Sequence, residues 1–416
     1  MNAVAAGMDR APVAPPELLA LRTAQAVRSR CATVHRWVAE GHSPHFTLDE
    51  GKLDAAAALV AETTRSSYPD LAIPHHSRWR HFSAGELDRW SALPLADADA
   101  IEKARAAVDL TFVSVLLDAG AGAAWHYRDK ETGLAFIRSE GLAVASFDMF
   151  RAGLFSSAPA LPLRVDSAAL IRLDLAALAA GLQASDHNPL VGLPHRLTLL
   201  RRFGEALAQR PDLFGAARRP GHLVDAILAT SPAGTIAAAD ILALVLDGVS
   251  TIWPSGLVVD GVALGDVGRH RAIRTQDRTD GLVPFHKLSQ WLTYSLIEPI
   301  EQAGVSVVEI DGLTGLPEYR NGGLLVDTGV ISPRAPLDPA RRHEVASEFI
   351  VEWRALTVAV MDRLREATRR QLGVTSLSMA QLLQGGTWSA GRAIAAQLRP
   401  PDGPPPIAVQ ADGTVF

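Results

Sequence analysis

Residues 101–118 read IEKARAAVDLTFVSVLLD, and this stretch indicates the fold class of the whole chain. Its apolar side chains recur three and four positions apart, the spacing that places them on one face of an α-helix. The same spacing recurs along most of the sequence. The helices predicted from it cover residues 18–40, 48–64, 97–118, 142–152, 167–183, 196–210, 223–230, 284–303, 339–372 and 378–398. A mainly α, multi-helical protein is therefore expected.

Strand patterns are few and short. Runs of β-branched residues bounded by glycine or proline occur near residues 250–264 and 305–310. Because strands and helices do not alternate, a doubly wound parallel sheet is not expected, and only a small β element is. For the domains we predict a disordered leader over residues 1–16, a single multi-helical body over 17–399 with possible sub-domains at 17–230 and 231–399, and an extended proline-rich tail over 400–416.

Composition narrows the functional classes. The chain has 416 residues, 48% of them hydrophobic, with a net charge of -5. That length and apolar content allow a large core, and the absence of a basic excess argues against nucleic-acid binding. The single cysteine, Cys31, excludes an internal disulfide and a cysteine-rich zinc site, so no metal is expected. It lies within a predicted helix and is interpreted as a packing residue.

Neither a targeting segment nor a membrane span is predicted. The N-terminus lacks the charged start and long apolar run of a signal peptide. The apolar run at residues 236–249 is too short to cross a bilayer and contains Asp240 and Asp247. We therefore expect a cytoplasmic protein without membrane contact, and the sequence leaves the oligomeric state open.

Several segments contain more polar, aromatic and glycine residues than a plain helix surface. Residues 73–82 read IPHHSRWRHF and contain Arg78 and His81, and arginine forks match phosphate or carboxylate oxygens. Asp118 ends a predicted helix just before a pair of glycines. Arg138 and Glu140 precede another helix, where backbone N–H groups can bind an anion. A solvated basic loop and a simple helix cap are the alternative interpretations of the first and last of these segments.

Three further candidate segments follow. Arg269 and His270 lie in a charged run that could equally be a solvated face. His286 and Lys287 open a helix that is otherwise apolar, and a lysine there suits a phosphate. The segment VVEIDGLTGLPEYRNGG, residues 307–323, combines carboxylates with an arginine, which favours perturbed pKa values. Its candidate residues are Asp311, Glu318, Tyr319 and Arg320, although Glu318 and Arg320 could simply neutralise each other.

Nine segments spread over nearly the whole chain carry a family resemblance. They are SRWRHF, LLDAGAG, RSEGLAVASFDMF, NPLVGLPHR, RPGHLVD, GDVGRH, DGLVPFHKLSQWL, GLTGLPEYRNGGLLVDTGVI and LQGGTWSAGRAIA. In this order they resemble a domain-of-unknown-function family tied to uracil catabolism in fungi and bacteria, the URC pathway. The resemblance implies a role in pyrimidine degradation but no particular chemistry.

A second resemblance suggests the chemistry. FHKLSQWL followed by LTGLPEYRNGGLLVDTGVI is similar to a pattern in queuosine-nucleotide N-glycosylases, the queuosine salvage proteins. That family implies a helical body resembling DNA glycosylases, which cleaves a base from ribose 5-phosphate without a cofactor. By the same resemblance, Lys287 would meet the phosphate, Asp311 would lie near the sugar or base, and Tyr319 and Arg320 would shape the site.

This chain departs from the queuosine pattern at three positions. Leu288 stands where the family has arginine after the lysine, Glu318 where it has aspartate, and Leu316 where it has an aromatic residue. Loss of a stacking ring fits a leaving group smaller than queuine, such as urea or an opened pyrimidine. The late carboxylate of the queuosine group has no clear counterpart here.

The expected function is hydrolysis of an N-glycosidic bond in uracil catabolism, with a ribosylurea-type or related ribosyl 5-phosphate compound as the small-molecule substrate. Asp311 and Glu318 would be the catalytic carboxylates, because the cleavage passes through an oxocarbenium-like sugar. Two alternatives stay open. One is a phosphoribosyltransferase-like enzyme, since VVEIDGLTG faintly resembles a phosphoribosyl-pyrophosphate loop, and the other is a non-catalytic ligand-binding partner in the same pathway.

Overall fold

The computed structural model describes residues 14–231, 233–253, 256–401 and 403–410. It is about 52% helical, and its strands are only two or three residues long. The prediction of a mainly α protein with a small β element is therefore confirmed. Of the predicted leader, residues 1–13 lie outside the described residues. Its end differs from the prediction, because a short helix begins at Pro16 and buries Leu18.

Helices occupy most of the described chain. In the first half they are α1 (Pro16–Leu19), α2 (Ala24–Ala39), α3 (Leu53–Ser67), α4 (Trp79–Phe82), α5 (Ala100–Leu116), α6 (Arg138–Arg151), α7 (Ser167–Arg172), α8 (Leu175–Gly181), α9 (Leu193–Gln209), α10 (Pro211–Phe214) and α11 (Leu223–Thr230). In the second half they are α12 (Ala238–Val249), α13 (Lys287–Gln302), α14 (Tyr319–Asp327), α15 (Glu348–Leu372), α16 (Met379–Leu382) and α17 (Trp388–Leu398). A five-residue π-helical segment, Leu383–Thr387, joins α16 to α17.

Three predicted helices are interrupted. The helix predicted over residues 167–183 is two helices, because Leu173 is extended and the Asp174 side chain caps α8 by accepting from the Ala177 N–H. The one predicted over 339–372 begins only at Glu348. The one predicted over 378–398 contains the π segment. Helical periodicity continued across these breaks, and so the pattern alone did not reveal them.

The strands pair only two by two in the described residues. They are β1 (Phe46–Leu48) with β10 (Ile331–Pro333), β2 (Tyr127–Arg128) with β3 (Ala135–Phe136), β4 (Thr235–Ala237) with β9 (Ser306–Val308), β5 (Val258–Val259) with β6 (Val262–Ala263), β7 (Val267–Arg269) with β8 (Leu282–Pro284), and β11 (Arg342–Glu344) with β12 (Ala408–Gln410). The pairs β4–β9 and β11–β12 are parallel. The strand predicted over 250–264 is mostly a 3-10 turn followed by the β5–β6 hairpin.

One large cluster of buried apolar side chains runs from Ala24 to Ile407. Helix α5 packs against α13, and α15 packs against α2 and α3, so both halves of the chain contribute to this core. The C-terminal tail extends the body through β12, which pairs with β11. Among the residues described, no helix combines the length and the apolar character needed to cross a lipid bilayer.

Candidate functional site

Three helices begin close to one another, and the first residues of these helices are mostly charged. They are α6, α13 and α14, which begin at Arg138, Lys287 and Tyr319. Arg138, the first residue of α6, has a left-handed backbone angle, with φ of 54°. His286, the residue before α13, has one as well, with φ of 49°. Such angles cost energy for a residue with a side chain and are concentrated at functional sites. The starts of α6 and α13 therefore have the backbone conformation that is typical of functional sites.

Glu318 and Lys287 form the centre of this group. The Glu318 carboxylate caps α14, with Oε2 accepting the Arg320 N–H at 2.8 Å and Oε1 accepting the Asn321 N–H. Burial raises the pKa of Glu318 above its ordinary value. Burial, together with the charge of Arg354, lowers the pKa of Lys287, while Glu318 opposes that shift. The acid and the base thus lie within electrostatic range, and their pKa values are moved toward each other.

A buried ion pair fixes the start of α13. Arg354 of α15 donates two hydrogen bonds to Asp266, at 2.9 and 2.7 Å, and both side chains are almost fully buried. Asp266 also accepts the backbone N–H of Lys287 at 3.0 Å. Although burial alone would raise the pKa of Asp266, Arg354 holds it below its usual range. His286 bonds through Nε2 to the Leu21 carbonyl at 2.9 Å, so it anchors the backbone here.

Arg78 connects the end of α5 to the start of α6. Its fully buried guanidinium pairs with Asp118 at 2.9 Å and donates to the Ser114 hydroxyl at 2.7 Å and the Ser139 carbonyl at 3.1 Å. Its Nη2 atom is buried and has no hydrogen-bond partner within the described part of the chain. The charge of Glu140 also favours the ionised form of Arg78. Asp118 and Glu140 therefore act on the same arginine, whose Nη1 atom also bonds the residue that follows Arg138.

Two histidines and a tryptophan lie near the ion pair of Arg78 and Asp118. The ring of His76 is 4.3 Å from that of Trp291, and the ring of His81 is 6.3 Å from it. Burial lowers the pKa of His76 to about 4, and burial with the nearby Arg78 lowers that of His81 to about 3. Both imidazoles are therefore neutral near pH 7. Neutral imidazole offers one donor and one acceptor nitrogen, which suits an uncharged polar group.

Arg320 and Arg392 bring α14 and α17 into the site. Arg320 is 8% exposed, donates to the Gly403 carbonyl at 2.9 Å and lies 5.1 Å from the centre of the Tyr319 ring. A Cβ atom on Gly391 would overlap the Arg320 carbonyl, so only glycine allows the two helices to pack this closely. The next residue, Arg392, is not among the candidate residues predicted from the sequence, although it lies in the segment LQGGTWSAGRAIA that carries the family resemblance.

The π-helical segment before α17 is held by close packing. A Cβ on Gly386 would lie only 2.7 Å from the Val60 carbonyl oxygen of α3. Gln384 donates to the Tyr68 hydroxyl at 2.8 Å and bonds His76 Nδ1 at 3.0 Å. Single π turns inside helices are frequent at functional sites. Here the π turn orients His76 and sets the direction of the helix that carries Arg392.

The structure does not bring Asp311 into this group. Glu309 takes a left-handed angle and a 3-10 turn follows, which directs Asp311 toward α16. There its side chain, 49% exposed, accepts the Met379 N–H at 2.8 Å and pairs with Arg365 at 2.6 Å. Its charge also reaches Tyr294, two helical turns or about 10 Å along α13 from Lys287. Asp311 therefore has a structural partner at each oxygen and no part in the reaction proposed below.

Arg269 and His270 also lie elsewhere. They line a shallow depression of about 380 Å³ together with Arg271, Arg274, Asp280 and Glu348. His270 is buried and bonds through Nε2 to Glu352 at 2.8 Å, an arrangement that stabilises α15. These two residues were predicted from a charged run, whose spacing carries no information on the direction of each side chain. Within the described ranges, no three His, Cys, Asp or Glu side chains come together as a metal ion would require.

Fold and site together define a multi-helical protein in which three helix starts assemble a partly buried acid, a partly buried lysine and several arginines. The chain belongs to the family described as "Protein of unknown function (DUF1688)", whose model matches residues 20–416. It is 40% identical over 382 residues to "Protein urg3" of Schizosaccharomyces pombe, covering 89% of this chain and 92% of that protein. It is 37% identical over 413 residues to "Uracil catabolism protein 4" of Lachancea kluyveri, covering 91% and 93%. The family resemblance noted from the sequence is confirmed.

Proposed function

We propose that this protein acts in uracil catabolism by hydrolysing the N-glycosidic bond of a ribosylurea-type compound. Its Lachancea kluyveri relative is named "Uracil catabolism protein 4", which supports the pathway. The observation that supports the chemistry is the pair formed by Glu318 and Lys287. Burial raises the pKa of the first and lowers that of the second, and each lies within reach of the other's charge. Groups whose pKa values are moved toward the working pH are suited to general acid–base catalysis.

Glu318 has the properties required of the base. Its two oxygens each accept one backbone N–H, which fixes the carboxylate and leaves further lone pairs for the substrate or a water molecule. Cleavage of a glycosidic bond passes through an oxocarbenium-like sugar that a carboxylate stabilises. A carboxylate with a raised pKa also takes a proton from water more readily.

Lys287 has the properties required of the acid. As the C1–N bond breaks, its electron pair stays on the urea nitrogen, which takes a proton from the Lys287 ammonium. The oxygen of water bonds to C1, and its proton goes to Glu318. Proton transfer from Glu318 to Lys287 then restores both groups. The lowered pKa of Lys287 favours the first of these steps.

Neutral polar side chains next to the pair suit a urea leaving group. Urea is uncharged and has both N–H donors and a carbonyl acceptor. His76 and His81 are neutral at pH 7 because burial lowers the pKa of each, to about 4 and about 3. A charged side chain at these positions would favour an ionised leaving group instead. We therefore assign the histidine side of the site to the urea portion.

The transferase alternative finds no support in the fold. Its loop would have to follow a strand inside a parallel sheet. Within the described residues, the strand before this loop, β9, pairs only with β4. The hydrolase proposal needs no such sheet.

Incubation of the pure protein with ribosylurea and with its 5-phosphate, followed by assay of urea, tests the proposal. We expect urea release with a bell-shaped pH dependence. Because the pKa of Glu318 is raised and that of Lys287 is lowered, both limits should lie inside the interval from 4.5 to 10.5 set by their ordinary values. Tight binding of either compound without urea release at any pH would overturn the hydrolase proposal and favour a ligand-binding role.

A further inference from the structure

The charges of three arginines from three helices reach Tyr319. The arginines are Arg138 of α6, Arg320 of α14 and Arg392 of α17. Burial lowers the pKa of Arg392, and the charges of Arg138 and Arg320 lower it further, while Glu140 opposes them. The charge of Arg138 also favours the ionised form of Tyr319. The Arg320 guanidinium carbon lies 5.1 Å from the centre of the Tyr319 ring. Like charges have therefore been brought within range of one another on a partly buried surface.

The close approach of these arginines is built into the backbone. Gly391 allows α17 to touch the Arg320 carbonyl, where a side chain would collide, and this contact sets Arg392 next to Arg320. The Arg392 guanidinium lies 5.0 Å from the centre of the Trp388 ring, which orients it. Arg138 holds a left-handed angle at the first residue of α6. The strained backbone at Arg138 and the close contact at Gly391 therefore both position positively charged side chains.

Within the described ranges the guanidinium groups of these arginines have no directly bonded carboxylate, although the charges of Glu140 and Glu318 act on them. None of the three arginines forms an ion pair within 4 Å there, whereas most other arginines of the chain do. The Nε atom of Arg320 is buried and has no hydrogen-bond partner in the same set of residues. A buried donor without a partner costs stability, so a ligand that supplies acceptors would stabilise this arrangement.

We propose that Arg138, Arg320 and Arg392 bind the phosphate monoester of a 5-phosphorylated ribosyl substrate. The charges of Glu140 and Glu318 both act on this group, so the three guanidinium groups exceed the nearby carboxylates by one positive charge, which suits an anionic phosphate. The planar guanidinium groups match phosphate oxygens in pairs, and the start of α6, which has no side-chain cap, can add backbone N–H donors. The sugar part of this assignment rests on the proposed function, whereas the phosphate part does not.

This assignment gives the two cationic regions different roles. Lys287 lies with Glu318 and Asp118, whose charges favour its ionised form, so it serves the reacting bond rather than the phosphate. The resemblance to queuosine salvage proteins had predicted the opposite, with Lys287 at the phosphate. The charges of the three arginines instead reach Tyr319, and the charge of Glu140 reaches Arg392.

Steady-state kinetics on two substrates test the phosphate site. In Arg392→Gln we expect KM for ribosylurea 5-phosphate to rise roughly tenfold to a hundredfold, because a charge-assisted hydrogen bond is lost. KM for unphosphorylated ribosylurea should stay unchanged, and so should kcat for both. Arg392→Lys, which keeps the charge but loses the planar fork, should fall between. Arg36→Gln, at an exposed arginine of α2, is the matched control.

Calorimetry with ribose 5-phosphate, ribose and inorganic phosphate tests the site without turnover. We expect ribose 5-phosphate to bind the wild type much more tightly than ribose does, and Arg392→Gln to lose this difference while its thermal unfolding stays cooperative. If urea is released equally from both substrates and Arg392→Gln changes neither KM, the phosphate site is refuted while the hydrolase stands. If no urea is released but ribose 5-phosphate binding depends on Arg392, the phosphate site stands and the hydrolase does not.

Discussion

Two glutamates at helix starts, Glu318 and Glu348, experience opposite electrostatic environments. Glu348 opens α15 beside the Arg269 depression and accepts four hydrogen bonds from Arg271, three from its guanidinium and one from its backbone N–H. These bonds lower the pKa of Glu348 to about 2. Glu318 caps α14 and accepts two backbone N–H groups, and burial raises its pKa. The ionised form of the same side chain, at similar helix positions, is therefore stabilised in one region and disfavoured by burial in the other.

The difference lies in how each region balances its charges. In the depression, Arg271 pairs with Glu348, and Arg274 lies 3.4 Å from Asp280. Around Glu318, Asp118 and Asp266 form ion pairs with the buried Arg78 and Arg354, whereas Arg138, Arg320 and Arg392 form no ion pair within the described residues. A charge that is already neutralised stabilises the fold. One that is left without a counterion on a partly buried surface is available to a ligand.

The largest effect that separates the two regions is expected from matched glutamate replacements. Glu318→Gln keeps an oxygen that can cap α14 but cannot take a proton from water, so kcat for urea release should fall about 10²–10⁴-fold. Glu348→Gln, at the start of α15, should leave kcat within about twofold of wild type, as other surface changes do. Urea release at saturating substrate measures both, and circular dichroism checks that both variants fold.

A similar loss of activity in both glutamate variants would break the distinction between the regions. It would mean that the depression belongs to the site or that either change disturbs the whole fold. Thermal unfolding of the two variants separates these explanations, because only the second predicts a lower Tm in both.

The next effect concerns stability and compares the ion pairs of the two regions. Asp266→Asn removes the carboxylate charge that accepts two hydrogen bonds from the buried Arg354 and should lower the free energy of unfolding by about 3–5 kcal/mol. Arg271→Gln breaks an exposed pair and should change it far less. Urea titration measures both, and an unchanged m-value confirms that the same surface is exposed on unfolding. Equal losses would show that burial does not decide which pair matters.

Helical periodicity predicted much of the fold, because packing follows the apolar face of each helix. Residues 97–118 were expected to be helical and α5 spans Ala100–Leu116; residues 223–230 were expected and α11 spans Leu223–Thr230. The break at Leu173 and the π turn at Leu383–Thr387 were not predictable in this way. Each depends on a local cap or on a contact with a distant helix, such as that between Gly386 and Val60.

Candidate residues of the site could be predicted where polar residues stand at helix starts. They could not be predicted where the direction of the side chain decides whether a residue faces the site. Lys287, Glu318 and Arg320 open helices and do come together. Asp311 has the same character in sequence, yet the left-handed Glu309 directs it toward α16. Arg392 lies in mid-helix with no local sign of function. Only its contact with α14 through Gly391 reveals it.

The smallest effect separates the two glutamates by the pH dependence of stability. The pKa of Glu348 is depressed to about 2, so its stabilising contribution is present above pH 4.5 and is lost as the pH falls from 4.5 toward 2. The pKa of Glu318 is raised, so its contribution is present below pH 4.5 and is lost as the pH rises through the folded-state value. Glu348→Gln should therefore flatten the acid fall of Tm between pH 4.5 and 2.

Glu318→Gln should act in the opposite sense, because it removes the cost of ionising a buried carboxyl as the pH rises above 4.5. Its Tm should increase with pH more steeply than that of the wild type just above that value. Thermal unfolding in buffers of constant ionic strength from pH 2 to 7 measures both curves, and the double variant should show the sum of the two changes. Parallel shifts of the same sign would contradict the opposite environments of the two glutamates, and with them the base assigned to the proposed hydrolysis.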